Sequence, residues 1–197
     1  MQNRLVVLLM LVSGSALAAR PAKPPPAPVV APEPPPPPPP TPESIAAFAD
    51  VYKVLHSPRC LNCHPVGDAP LQRDASTPHQ MGITRFSGSV GLACNTCHRP
   101  TGIDAPHLPP ANPEWRMPPA NQAFEGRSPA QLCAQLKDVA TTGGRDLPTL
   151  LHHVSEDPLV LWGWSPGAGR TTPPLSHDAF VAAFSTWVSG GAGCPSE

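Results

Sequence analysis

Four stretches of the chain carry apolar residues at helical spacing. In the first, Ile45, Phe48, Ala49, Tyr52 and Leu55 repeat on one face. Thr41 can cap it, Pro42 suits the first helical position and Glu43 favours the positive end. Ser57-Pro58 ends it just before Cys60. A second opens at Ser128-Pro129 and runs to about Asp138, burying Leu132, Cys133 and Leu136. Gly143-Gly144 breaks the chain. Asp146 then caps a third stretch with Leu147, Leu150, Leu151 and Val154, which stops near Asp157-Pro158. Ser176 caps the last, with Phe180, Val181, Phe184, Trp187 and Val188 on one side, and Gly190-Gly191 closes it. Residues 65–93 and 99–127 show no lasting period and are rich in Gly, Pro, Asn, Asp and Ser, so they read as loops. Strand signals are almost absent. The pattern predicts a mainly α domain with long ordered loops.

The beginning of the chain changes how much of it is expected to fold. Residues 1–18 show a short basic start, an apolar run and a small-residue end, the form of a secretory signal peptide. Residues 19–42 are dominated by proline, which fixes φ and lacks a donor, so they read as an extended spacer. The foldable domain is expected over 43–197. The formal net charge of −1 and the near absence of lysine after Thr41 argue against nucleic acid as a partner. So few regular elements among so many prolines require another source of order, from bridges, metal or a large apolar cofactor.

The candidate chemistry lies in two copies of C-x-x-C-H, Cys60-Leu-Asn-Cys63-His64 and Cys94-Asn-Thr-Cys97-His98. Two thiols about one helical turn apart can each add to a vinyl group on one edge of a haem, and the next residue then places an imidazole beneath the iron. Cys60, Cys63, His64, Cys94, Cys97 and His98 are therefore the cofactor-binding candidates, for two covalently bound haem c groups. A zinc site could use the four cysteines but needs no histidine after each pair. A thioredoxin-like pair wants an α/β unit, and simple disulfides leave both histidines without a role. The motifs begin 34 positions apart, too little for two tandem one-haem domains. One shared fold is expected, with neighbouring haems supplying much of the apolar core.

These motifs, with H-S-P-R-C-L-N-C-H-P-V-G-D-A-P at 56–70, P-H-Q-M at 78–81 and D-P-L-V-L-W-G-W-S-P-G at 157–167, carry a resemblance. The chain resembles small periplasmic dihaem c-type cytochromes, some labelled isoquinoline 1-oxidoreductase-like, over most of residues 43–195. The resemblance implies an electron acceptor subunit for a periplasmic oxidoreductase, without placing molybdenum in this chain.

His64 and His98 would fill one face of each iron. For the opposite faces, His79 in the P-H-Q-M loop and His153 beside an apolar helical stripe are the leading candidates, without assignment to either motif. His107 and Met117 follow, then Met81. Cys133 and Cys194 are left as an even pair and are expected to form a disulfide. Trp162 and Trp164 read as core residues with a secondary option of haem contact. Arg59, Arg73 and Arg99 are candidate propionate partners or solvated surface residues. Together these readings predict a periplasmic electron-transfer protein with a redox protein partner. A peroxidase-like haem enzyme and a structural or sensor haem subunit are the alternatives. An electron carrier needs no catalytic residue, and none is assigned.

Overall fold

The structure, a computed structural model, describes residues 38–98, 108–109 and 116–196. The expected signal peptide, the spacer up to residue 37, Arg99 and His107 lie outside the described residues. Helix α1 spans Pro42–Leu55, with the Thr41 hydroxyl accepting from the Ser44 amide. A single turn, α2, follows at Pro58–Leu61. Strands β1, Leu71–Gln72, and β2, Thr77–Pro78, form a small antiparallel hairpin with Leu71 opposite Pro78. Helix α3 spans Pro129–Lys137 behind a Ser128–Gln131 capping box. Helix α4 spans Leu147–Glu156 behind Asp146, and α5 follows at Pro158–Leu161. Helix α6 spans His177–Ser189, capped by Ser176. The caps, the Gly190 stop and the stripes of α3, α4 and α6 are those the sequence predicts, whereas α1 buries Ser44, Phe48, Val51, Val54 and Leu55 and leaves the expected Ile45 and Ala49 exposed.

The core sits between α1 and α6, whose opposite ends meet: the Thr41 amide donates to the Gly190 carbonyl at 2.9 Å. Phe48 packs on Trp187 at a centroid distance of 5.0 Å, and Phe184 meets Trp187 edge-on at 5.2 Å. All three are buried, together with Val51, Val54, Leu132 and Phe180. Ser44 is buried in the same seam. Its hydroxyl donates to the Trp187 carbonyl at 2.7 Å and accepts from the Gly193 amide at 3.0 Å. The chain turns sharply after α6 through Gly191, whose φ of 88° suits glycine, and a Cβ there would meet the Pro38 carbonyl oxygen at 2.5 Å. That turn delivers Cys194 to Cys133 on α3, and the two form a disulfide with Cα atoms 5.5 Å apart.

The fold corrects the sequence reading at this level. The mainly α character holds, but this is a small α domain whose own side chains and disulfide close its core. The multihaem cytochrome domain, in which haems supply much of the apolar core, is not what the described residues build. Phe48, Phe180, Phe184 and Trp187 occupy the core instead. The segment after the first motif is also not plain loop: it contains β1–β2 and short 3-10 turns at Gln80–Gly82 and Ser87–Val90. Among the described residues, no helix is long and apolar enough to cross a membrane.

The disulfide closes a loop of about 60 residues, for which chain entropy gives about 4 kcal/mol. The double variant Cys133→Ser/Cys194→Ser is expected to lose stability of that order in urea unfolding. Wild-type protein under reducing conditions is expected to match it.

Candidate functional site

Both C-x-x-C-H motifs take the same local form. In the first, α2 carries Cys60, and the His64 amide returns to the Cys60 carbonyl at 3.1 Å. In the second, a 3-10 turn spans Cys94–Thr96, and the His98 amide returns to the Cys94 carbonyl at 3.0 Å. Each turn brings its two cysteines and its histidine to the lining of a cavity. The first cavity, about 530 Å³, is lined by Cys60, Cys63 and His64. The second, about 500 Å³, is lined by Cys63, Cys94, Cys97 and His98. Both volumes fall within the roughly 300–1,000 Å³ of small-molecule and cofactor sites. Arg59, Cys63, Arg116 and Met117 line both cavities, so the two share a wall.

Two further histidines line the cavities. His153 lines the first cavity with His64, and His79 lines the second with His98. The His79 and His98 ring centroids are 6.1 Å apart, with planes inclined at 60°. Metal–imidazole bonds are about 2 Å long, so two rings bound to one ion from opposite sides have centres about 6 Å apart. The rings of His64, His79 and His153 have Nδ1 engaged. His64 Nδ1 pairs with the Gln122 carbonyl at 2.8 Å, and its ring stacks on Phe124 at 3.9 Å. His79 Nδ1 pairs with the Gln80 carbonyl at 2.6 Å, and His153 Nδ1 with Asp157 Oδ2 at 3.2 Å. Engagement of Nδ1 fixes the tautomer that leaves Nε2 with its lone pair for a metal.

The other candidates and two further histidines, His56 and His177, are placed differently from one another. Met117 lines both cavities, while Met81 is 86 % exposed. His177 pairs with the Val154 carbonyl at 2.9 Å and packs on Trp164, a structural role. His56 packs on Tyr52. Trp164 packs against the core at Phe180, whereas Trp162 borders the second cavity beneath Arg59 and Arg170. The buried Arg59 guanidinium pairs with Asp74 at 2.5 Å. The Arg73 carbonyl accepts from Asn62, and its side chain borders the second cavity. Sequence reasoning missed Asp157, Gln122 and Phe124 as supports of the histidines. Only Asp157 carried a signal, four residues beyond His153 on one helical face.

Burial pushes the Cys60 thiol up to about 12 and the Cys63 thiol up to about 11, and it raises Cys94 as well. Reactive thiol pairs are shifted the other way. The disulfide engages Cys133 and Cys194 alone, and the four motif cysteines are free thiols.

No known protein family, curated protein or solved structure matches the chain. The resemblance to small periplasmic dihaem cytochromes labelled isoquinoline 1-oxidoreductase-like therefore finds no support. The acceptor role that it implied is withdrawn with it. The comparisons carry no haem or iron signature. Among the described residues, no group of three or more His, Cys, Asp and Glu is gathered to hold a metal ion. That geometry also removes the four-cysteine zinc site. Cytochrome c, dihaem, iron and electron transfer thus do not stand as established properties of this chain, and neither do two haem c cofactors.

Burial moves His64 down to about 4, opposed by its hydrogen bond to Gln122, and burial also lowers His153 and His98. The unfolded chain therefore takes up these protons first, near the ordinary value of about 6.5. The stability is fully present above that value and declines as pH falls toward about 4. Urea midpoints of the cofactor-free chain are expected to be lower at pH 5 than at pH 7.5, with a smaller drop in His64→Gln.

Proposed function

We propose that each motif site takes one haem through two thioether bonds, with Cys60, Cys63 and His64 at the first and Cys94, Cys97 and His98 at the second. The observation that carries this reading is a repeated lining: each cavity is bordered by its own C-x-x-C-H thiols and imidazole and by a second histidine. The raised thiols and the separate disulfide support it over thiol redox chemistry. When bound, such a group supplies one-electron oxidation and reduction at iron.

The chain's residues would hold and shield that chemistry. Phe124 and the Gln122 carbonyl fix the His64 ring. Leu136, Leu150, Val154 and Phe184 border the first cavity and limit water there. Arg85 bridges two wall segments, donating to the Pro118 carbonyl and, at 2.8 Å, to the Gly67 carbonyl. With a second histidine lining each cavity, an electron carrier fits the arrangement better than a peroxidase, which needs an iron face open to substrate. Met81, Phe86 and Val90 leave apolar surface beside or near the second cavity. A redox protein partner would dock there through a contact of less than about 1,200 Å². Haem attachment of this type and the export signal expected at residues 1–18 support a periplasmic location.

The test is to express the full chain in a host that attaches haem to exported proteins. The denatured protein is expected to stay coloured and to gain the mass of two haems. Cys60→Ala/Cys63→Ala and Cys94→Ala/Cys97→Ala are each expected to lose one. A colourless wild-type chain of unmodified mass would defeat the reading.

A further inference from the structure

The two cavities support their second histidine differently. His153 lies on α4 and is bound at Nδ1 by the Asp157 carboxylate at 3.2 Å. Asp157 Oδ1 also caps α5, accepting from the Leu159 amide at 2.8 Å. One carboxylate thus fixes the joint between two helices and the ring of the histidine before it. His79 follows the hairpin and is bound at Nδ1 only by the neutral Gln80 carbonyl at 2.6 Å. The hairpin leads to His79, which lines the second cavity with His98. The His79 amide donates to the Pro70 carbonyl at 2.8 Å, and its ring stands opposite His98.

We infer that the opposite ligands are crossed and unequal: His153, positioned and polarised by Asp157, serves the iron bound at His64, and His79, supported by a backbone carbonyl, serves the iron bound at His98. This rests on haem attachment at both motifs. Asp157 touches no iron and acts through His153. A carboxylate on Nδ1 makes an imidazole a stronger donor than a carbonyl does, and stronger donation favours ferric over ferrous iron. The first-motif site is therefore the lower-potential one, and the two sites form a downhill step toward the second cavity. Its apolar rim includes Met81 and Leu92.

The experiment uses the exported, haem-loaded full chain and two single-haem backgrounds. With only the first motif intact (Cys94→Ala/Cys97→Ala), His153→Ala is expected to convert a six-coordinate low-spin spectrum to one that binds carbon monoxide. Added imidazole should restore the original spectrum, and His79→Ala should change nothing. With only the second motif intact, the two variants exchange roles. In the two-haem protein, Asp157→Asn keeps an oxygen for the α5 cap, so folding is preserved. It is expected to raise the lower midpoint potential and leave the higher one in place. Loss of haem from wild-type protein would overturn the attachment reading itself. Two attached haems with the histidine effects reversed or absent would overturn the pairing alone, and an Asp157→Asn shift of both potentials or neither would overturn the role of Asp157.

Discussion

The Ser44 hydroxyl, sealed between α1 and the turn after α6, is the constraint on which the rest of the domain depends. It donates to the Trp187 carbonyl and accepts from the Gly193 amide. A buried hydroxyl that fills both roles fixes the register of α1 on α6, because a slip would leave polar groups unpaired in the core. The same turn presents Cys194 to Cys133 and so ties α3 to the seam. Consequences run outward along both helices. At the far end of α1 the chain enters α2 with Cys60, while the Tyr52 hydroxyl holds the Arg127 carbonyl just before α3. Gln135 on α3 reaches back to the Ala123 carbonyl, and the segment 122–124 clamps His64 from both backbone and ring. The first motif is thus built on the helical platform.

The second motif stands on a different kind of support. Its turn, Cys94–Thr96, is reached through short 3-10 elements and bends rather than through a helix of the core. Cross-links between loops take the place of packing. Arg85 joins the 65–68 and 118 segments. Asp74, at the hairpin turn, accepts from Arg59 beside the first motif and from the Thr171 amide at 2.9 Å. An ion pair with one member buried is costly to break, since the Arg59 charge would be left without its partner. The arrangement therefore favours one placement of the hairpin, and with it one placement of His79. Motion is expected to be greater around the second motif, where fewer buried apolar groups oppose local opening.

The helices were legible because their signals are local. Thr41, Ser128, Asp146 and Ser176 each cap the helix that the following apolar stripe announces. The Cys133–Cys194 pairing was legible by elimination, since the other four cysteines belong to repeated motifs. The hairpin was not legible: each strand has two residues, one of them Pro78, and neither shows an alternating pattern. The core was misjudged because the aromatic residues are few in composition yet concentrated at the α1–α6 seam. The family resemblance failed for a related reason. Short strings around a cysteine motif report local turns, and they carry little information about the helices that bury Trp187. Asp157 was read as a helix stop, which it is, while its second oxygen faces His153.

The short interval between the motifs acquires a structural explanation from this layout. Residues 65–93 are not a linker between two sites. The hairpin residues Leu71 and Gln72, then Thr84, Ser87 and Leu92, line the second cavity, so the interval is the wall of the site it leads into. Cys63, at the end of the first motif, borders that cavity as well and lies close enough to be influenced by the Cys94 thiol. A longer interval would need a wall of its own for each motif. A shorter one could not form the hairpin and carry His79 back to face His98. The spacing is set by the need to fold one strand pair, one arginine clamp and one returning histidine between two turns of the same form. The histidine that follows the first motif in sequence consequently belongs, in space, to the second.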